Sequence, residues 1–349
     1  MTRSMLIPDG GIDRARPALT SLLSAAPPET GPSSPLAEPG RLLVELDRRG
    51  ELAMPLPGEG ATAVRWAALA GWGRRDLPLA RLIEGHTDAV SIVAQAGRTP
   101  RGGALYGVWA ARSGGTGAHL VGTGDAAVLS GTVRFCSGAG TLGRALVVAL
   151  GPSGSRIVDL PLDAEGIRRV PESWHAVGMA ASDSIDVEFH GVPAPPERWL
   201  GGPGFYTDRP GFWWGGGGVA SVWLGGAAGV LDEVHAVLRD TDPDPHQRAQ
   251  LGELHAALAA ADALLVRTAA LIDAEPGLAH RTPVCTARAA VERCCRTVLD
   301  VTPRLVGVCG LSRRDGLERR LADLGVYLRQ HHGERDLADL GAAILRDLP

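Results

Sequence analysis

The segment Phe135-Cys136-Ser137-Gly138-Ala139-Gly140 puts an aromatic ring, a hydroxyl and a small-residue turn within six positions. Such a turn can hydrogen-bond the polar edge of a flat heteroaromatic ring while Phe135 covers a face of it. The same residues also suit a tight hairpin with Phe135 in the core. Tyr106-Gly107-Val108-Trp109-Ala110-Ala111 brings a second aromatic, Trp109, which reads as a ring contact or a core residue. Val177-Gly178-Met179-Ala180-Ala181-Ser182-Asp183-Ser184 is a third polar, small-residue passage. Asp208-Arg209-Pro210-Gly211 then runs into Phe212-Trp213-Trp214 and four glycines. Glycines before a helix can cradle phosphate on free amides. This run has neither the spacing of a P-loop nor the βαβ surroundings of a dinucleotide fingerprint, so close helix packing is the plainer expectation. His331 and Glu334 could share a helix face, but no second ligand pair accompanies them, and no metal site is expected.

Composition narrows what these residues can serve. The 349 residues carry a net charge of −4, so no basic field recruits nucleic acid or an anionic membrane. Lysine is absent, so phosphate or carboxylate binding falls to arginine forks or backbone amides. The N-terminus shows no apolar signal core, and no run of about twenty apolar residues is evident; the glycine-rich stretch near 213–230 comes closest. Five cysteines without metal-type spacing argue against a disulfide framework and fit a reducing cytoplasm.

The elements that must hold these residues change period twice. Residues 1–40 read as a loose lead-in with a short helix near Ala18–Ala25. Helical spacing through Val64, Ala67, Leu69 and Ala70 resumes at Leu77 after Asp76, a natural N-cap with Pro78 in the first turn. This makes an N-terminal helical domain over 41–98. Short Val- and Leu-rich runs over 105–110, 119–122, 128–135, 145–150 and 156–160 follow, with Ile185, Val187 and Phe189 alternating against polar neighbours. They make a central antiparallel β domain over 99–203. Leu251, Leu254, Leu258, Ala261 and Leu265 step by three and four, and helices are expected over 219–238, 283–298 and 316–330. The fold class is therefore α+β, closing in a C-terminal four-helix bundle over 204–349.

Taken in order, these segments resemble one family, the acyl-CoA dehydrogenases and their flavin-dependent relatives. Phe135-Cys136-Ser137 is similar to the family's Trp/Phe-x-Ser/Thr turn on the flavin ring, and Tyr106–Ala111 to the strand whose backbone meets it. Gly178-Met179, Ser182 or Ser184, Val187 and Phe189 resemble the Gly-Met-x-x-Ser passage, the most specific piece. Arg209 through Leu231-Asp232-Glu233 looks like the start of the family's helical domain, and Arg74 to Arg81 with Gly85-His86 like its N-terminal helices. The resemblance covers about residues 50–335.

It implies FAD, with FMN as the alternative form, held by Trp109, Ala110, Ala111, Phe135, Cys136 and Ser137. Arg304, Gly307 and Gly310 would meet its adenine end across a subunit interface, in a homodimer or homotetramer whose close-packing surface is Gly215–Gly229. Arg209 would stand near the substrate entrance. The implied activity is oxidoreduction of a small molecule, an acyl thioester in the parent family, with hydride passing from substrate carbon to flavin N5; the electron acceptor stays unassigned. Two departures stand out. The Gln-x-x-Gly-Gly-x-Gly segment reads Arg304-Leu305-Val306-Gly307-Val308-Cys309-Gly310, and the arginine for the pyrophosphate has no clean match. At the place of the catalytic Glu, eight residues beyond Asp323 in the Arg320/Asp323 pair, stands His331. A histidine there resembles the flavin-dependent monooxygenases of the same superfamily, which act on small aromatic or amine substrates. The losses also suit a non-catalytic member serving as a binding or assembly module.

Overall fold

The computed structural model describes residues 20–24, 39–239, 241–314 and 316–346. Three helices come first: α1 (Pro39–Arg48), α2 (Thr62–Arg75) and α3 (Leu77–Gln95). Asp76 caps α3 as its position suggests, accepting from Leu79 N at 2.8 Å, with Pro78 in the first turn. Of the helix expected near Ala18–Ala25, residues 20–24 form bends and turns, and the rest lies outside the described residues.

Eight strands follow: β1 (Tyr106–Trp109), β2 (Gly117–Val121), β3 (Val128–Cys136), β4 (Arg144–Gly151), β5 (Gly154–Pro161), β6 (Ile167–Val170), β7 (Ile185–Pro193) and β8 (Trp199–Leu200). They form one sheet in the order β6-β7-β3-β2-β4-β5-β8, with β1 also paired to β4. The sheet is mixed rather than antiparallel, because β4 runs parallel to both β1 and β2. Strands β1 and β2 lie one after the other along the same edge of β4; β2–β3 and β4–β5 are hairpins, and the link from β3 to β4 passes β2 to reach its far side.

The C-terminal part comprises α4 (Phe205–Asp208), α5 (Gly211–Leu238), α6 (Pro245–Ala274), α7 (Arg281–Arg313), α8 (Leu317–Tyr327) and α9 (Glu334–Arg346). Buried α5 packs on α6, α7 and α8, and α9 lies on α7. Helix α2 of the N-terminal part also packs closely along α5. Glycines make that approach possible. A Cβ on Gly225 would stand 2.0 Å from Ala70 O, one on Gly73 2.3 Å from Val222 O, and one on Gly229 2.4 Å from Arg74 O. The small-residue face of 215–229 expected to pair subunits is thus occupied by α2 of the same chain. Helix α6 has the length and apolar content of a membrane span, with mean hydropathy 1.5. Its Asp262 is buried and accepts from Leu22 N at 2.8 Å.

Candidate functional site

Near its end β3 departs from strict alternation. Val133 pairs with Val187 and Cys136 with Ile185, so three steps on β3 match two on β7, and a β-bulge holds the extra residue. Plain alternation would send Phe135 inward beside Val133. Instead Phe135 takes φ 61°, is 51% exposed, and sends Cys136 into the core in its place. The core-hairpin reading of Phe135 therefore fails. Among the candidate ring contacts, Cys136 has its side chain turned away from the exposed face. Its thiol is fully buried and donates to Val133 O, and burial pushes its pKa well up.

Across from Phe135 stands Trp174, a residue that no spacing or motif marks out. The rings meet edge to face at 6.3 Å and 90°. The indole Nε1 of Trp174 is buried and has no hydrogen-bond partner among the described residues. Left-handed backbone at a non-glycine residue costs on the order of 1 kcal/mol or more and collects where function requires it. Among the described residues it occurs at Phe135, Met179, Asp183 and His280, and the first three belong to this one corner.

Hydrogen bonds tie the corner together. Gly138 N donates to Ser182 O at 2.9 Å, Ala139 N to Asp183 O at 3.3 Å, and Gly140 N to the Asp183 carboxylate at 2.5 Å. Ser137 Oγ lies 2.8 Å from Ser184 Oγ, which lies 2.7 Å from Ser182 Oγ. Both serines of the Ser182/Ser184 ambiguity are therefore engaged. Trp109 Nε1 donates to Ser137 O at 3.2 Å, and the Trp109 ring is buried. Trp109 is thus a core residue that also braces the turn. Ala110 and Ala111 follow it, half-buried.

Behind the turn lies a small recess with a cavity volume of about 10 Å³, walled by Arg81, Gly85, Gly107, Trp109, Ser137 and Leu142 among others. Arg81 leads from it into a buried polar run. Its guanidinium pairs with Glu84; burial opposes its charge, but Glu84 and its neighbours outweigh that and raise its pKa. Glu84 is raised by the same burial. The Tyr327 phenol sits beside Arg81 and meets Trp223 edge to face at 6.2 Å, and Arg288 lies over Trp223 at 4.8 Å. Arg288 donates to Gly216 O at 2.6 Å. The indole Nε1 of Trp223 and the hydroxyl of Tyr327 have no hydrogen-bond partner among the described residues.

Arg209 stands inside rather than at an open entrance. It is 6% exposed, donates to Gln95 Oε1 at 3.3 Å, and lies over the Tyr206 ring at 5.4 Å, while its Nε has no partner among the described residues. His331 is buried in the link before α9, not on a helix face shared with Glu334. Its Nδ1 accepts from Gly333 N at 3.2 Å, and Nε2 is 4.0 Å from Asp336. Burial lowers its pKa, against the Asp336 charge. The neutral ring so held carries its proton on Nε2 and presents a donor. Arg304 is exposed and pairs with Asp300 at 2.5 Å. Gly307 (φ 62°) kinks α7, and Gly310 packs near Val306 and Val237. Among the described residues, the partners of this stretch come from α5, α6 and α7.

Residues 202–328 match the family described as acyl-CoA dehydrogenase, C-terminal domain. Dibenzothiophene monooxygenase of Rhodococcus erythropolis is 28% identical over 172 residues, 42% of this chain; the chain spans 41% of that enzyme's length. Among solved structures, FMN-bound TdsC from Paenibacillus sp. A11-2 superposes with TM-score 0.71 at 20% identity, covering 89% of this chain and 96% of that one. KijD3 in complex with FMN and a dTDP-linked amino-keto sugar gives 0.73 at 18%, covering 95% and 97%. At these identities the superpositions establish the fold.

Proposed function

We propose that the chain is a flavin-dependent oxidoreductase of the monooxygenase type acting on a small molecule, a reading supported by the match of residues 202–328 to the acyl-CoA dehydrogenase C-terminal domain. The observation that carries this is Phe135, an aromatic held out of the core on a strained bulge beside Ser137 and Trp174. The exposed face of the ring is open to a flat cofactor, and stacking on it is worth about 0.5–1.5 kcal/mol. The orphaned Trp174 Nε1 supplies a donor on the same face. A bound flavin would supply two-electron redox chemistry and, once reduced, reaction with oxygen.

The protein's own groups then divide the work. Phe135 and Trp174 cover the ring, and Ser137 stands at its polar edge. Arg209 and the Arg81–Tyr327–Arg288 run offer donors to the substrate. His331, kept neutral by burial, can give a proton at Nε2; taking one at Nδ1 requires its bond from Gly333 to open. Arg304, Gly307 and Gly310 would serve the cofactor only from a second copy of the chain. FMN is the favoured form, because FMN is the flavin in the TdsC and KijD3 structures this chain resembles. The dehydrogenase reading, hydride transfer from a substrate C–H to flavin N5, keeps the support of the C-terminal domain match.

The test loads the protein with FMN, reduces it anaerobically with dithionite, and admits isotopically labelled oxygen with indole present. Label in the product upholds the monooxygenase reading. Anaerobic bleaching of the bound flavin by acyl-CoA thioesters, with no label in any product, replaces it with the dehydrogenase.

A further inference from the structure

The three serines at the corner have a fixed sense of hydrogen bonding, and it can be counted. A serine hydroxyl has one proton to give. Ser182 Oγ is 2.7 Å from Met179 O, an acceptor that cannot donate, so the Ser182 proton is committed there. The 2.7 Å contact between Ser182 and Ser184 must then use the Ser184 proton. The 2.8 Å contact between Ser184 and Ser137 must in turn use the Ser137 proton. On the other side of the same peptide run, Met179 N donates to Asp323 Oδ1 at 2.5 Å. The Ser137, Ser184 and Ser182 protons therefore all point toward Met179 O, a chain whose members strengthen one another in turn, while the Met179 N–H of the preceding peptide group holds the same turn on the buried Asp323 of α8.

Two features keep the relay in place. Gly178 lies so close to α8 that a Cβ would stand 2.2 Å from Ala322 O, so only glycine lets the turn reach Asp323. Arg319 bridges Asp323 at 3.5 Å and Asp76, the cap of α3, at 3.4 Å, joining all three parts of the chain at one point.

We propose that this relay, anchored by Asp323, makes Ser137 a hydrogen-bond acceptor toward the flavin edge, so that the site favours the reduced cofactor, which carries the additional N–H. The inference rests on the flavin reading above. Ser137 contacts the cofactor in it; Ser182, Ser184 and Asp323 are positioning residues. In Ser182→Ala the last acceptor in the chain is gone, so Ser184 can turn back and Ser137 is free to donate outward.

The experiment measures dissociation constants of oxidised and reduced FMN for wild type, Ser182→Ala and Asp323→Asn, with the potential of the bound couple as a second readout. Wild type is expected to hold reduced FMN more tightly than oxidised. Ser182→Ala should lose about tenfold of that ratio, equal to roughly 30 mV for a two-electron couple. Asp323→Asn keeps an acceptor oxygen and the direction of the relay, so its ratio should stay near wild type. Ser184→Ala, equally conservative in volume, should reproduce Ser182→Ala and decides the matter if that variant does not fold. A wild-type ratio in both serine variants overturns the proposal. Wild-type protein that takes up neither FMN nor FAD overturns the flavin reading, and the role of Ser137 with it. The anchor is then read by amide exchange at Met179, which Asp323→Leu must speed at least tenfold; unchanged exchange would overturn the anchor as well.

Discussion

Phe135 concentrates the case at the scale of single residues. Its left-handed backbone stores strain of about 1 kcal/mol or more, and its ring is half in solvent. Phe135→Gly is therefore expected to leave the thermal midpoint unchanged or raise it, while weakening flavin binding by roughly fivefold through the lost stacking. Thermal unfolding and a flavin titration check the two halves; a lower midpoint with unchanged flavin affinity would make Phe135 a structural residue. The sequence carried the residue types at this corner, Phe135, Ser137 and the two serines beyond Met179, but not the bulge that turns Phe135 outward. Alternation is a rule of regular strands, and a one-residue insertion that reverses it leaves no periodic trace. Trp174 was illegible for another reason: it sits in a turn, and only the tertiary fold brings it to Phe135.

Among elements, glycine is the decisive variable. Gly225→Ala drives a methyl into the Ala70 peptide of α2 and should cost at least about 2 kcal/mol. Gly252→Ala on the exposed face of α6 meets nothing within 4 Å and should stabilise by about 0.5–1 kcal/mol. Urea unfolding of both variants checks the contrast, and equal effects would contradict the packing described. The long helices were readable where apolar residues step by three and four, as along α6. They were underestimated where the chain carries residues that usually end helices. Helix α5 starts at Gly211 rather than near Val219, because the four glycines are packed against Trp66, Leu69, Asp88 and Arg288 instead of forming a loop. Helix α7 continues past Pro303 and bends at Gly307. Strands β6 and β8 are too short to signal themselves.

For the whole molecule, the buried titratable groups set a direction with pH. Burial lowers the pKa of His86, against the Asp47 charge, and likewise that of His331, from the ordinary 6.5. Below that value the unfolded chain binds protons the folded one refuses, so stability is full above it and falls as the solution is acidified. Glu84 and Asp323, raised by burial from 4.5 and 3.8, act with the opposite sign and at lower pH: what they contribute is present in acid and lost as pH rises. The urea midpoint should therefore decline from about pH 8 to about pH 5, and less steeply in His331→Gln. A midpoint independent of pH over that interval would contradict the burial of both imidazoles.

Uptake of a flavin is the claim on which the functional account turns, and one measurement addresses it directly. The protein is produced with riboflavin supplied, its visible spectrum recorded, and the flavin-free form titrated against FMN and FAD by fluorescence quenching. The account predicts saturable binding, tighter for FMN, and weaker in Phe135→Gly. A colourless protein that quenches neither flavin would contradict it and leave the fold as a scaffold without redox chemistry.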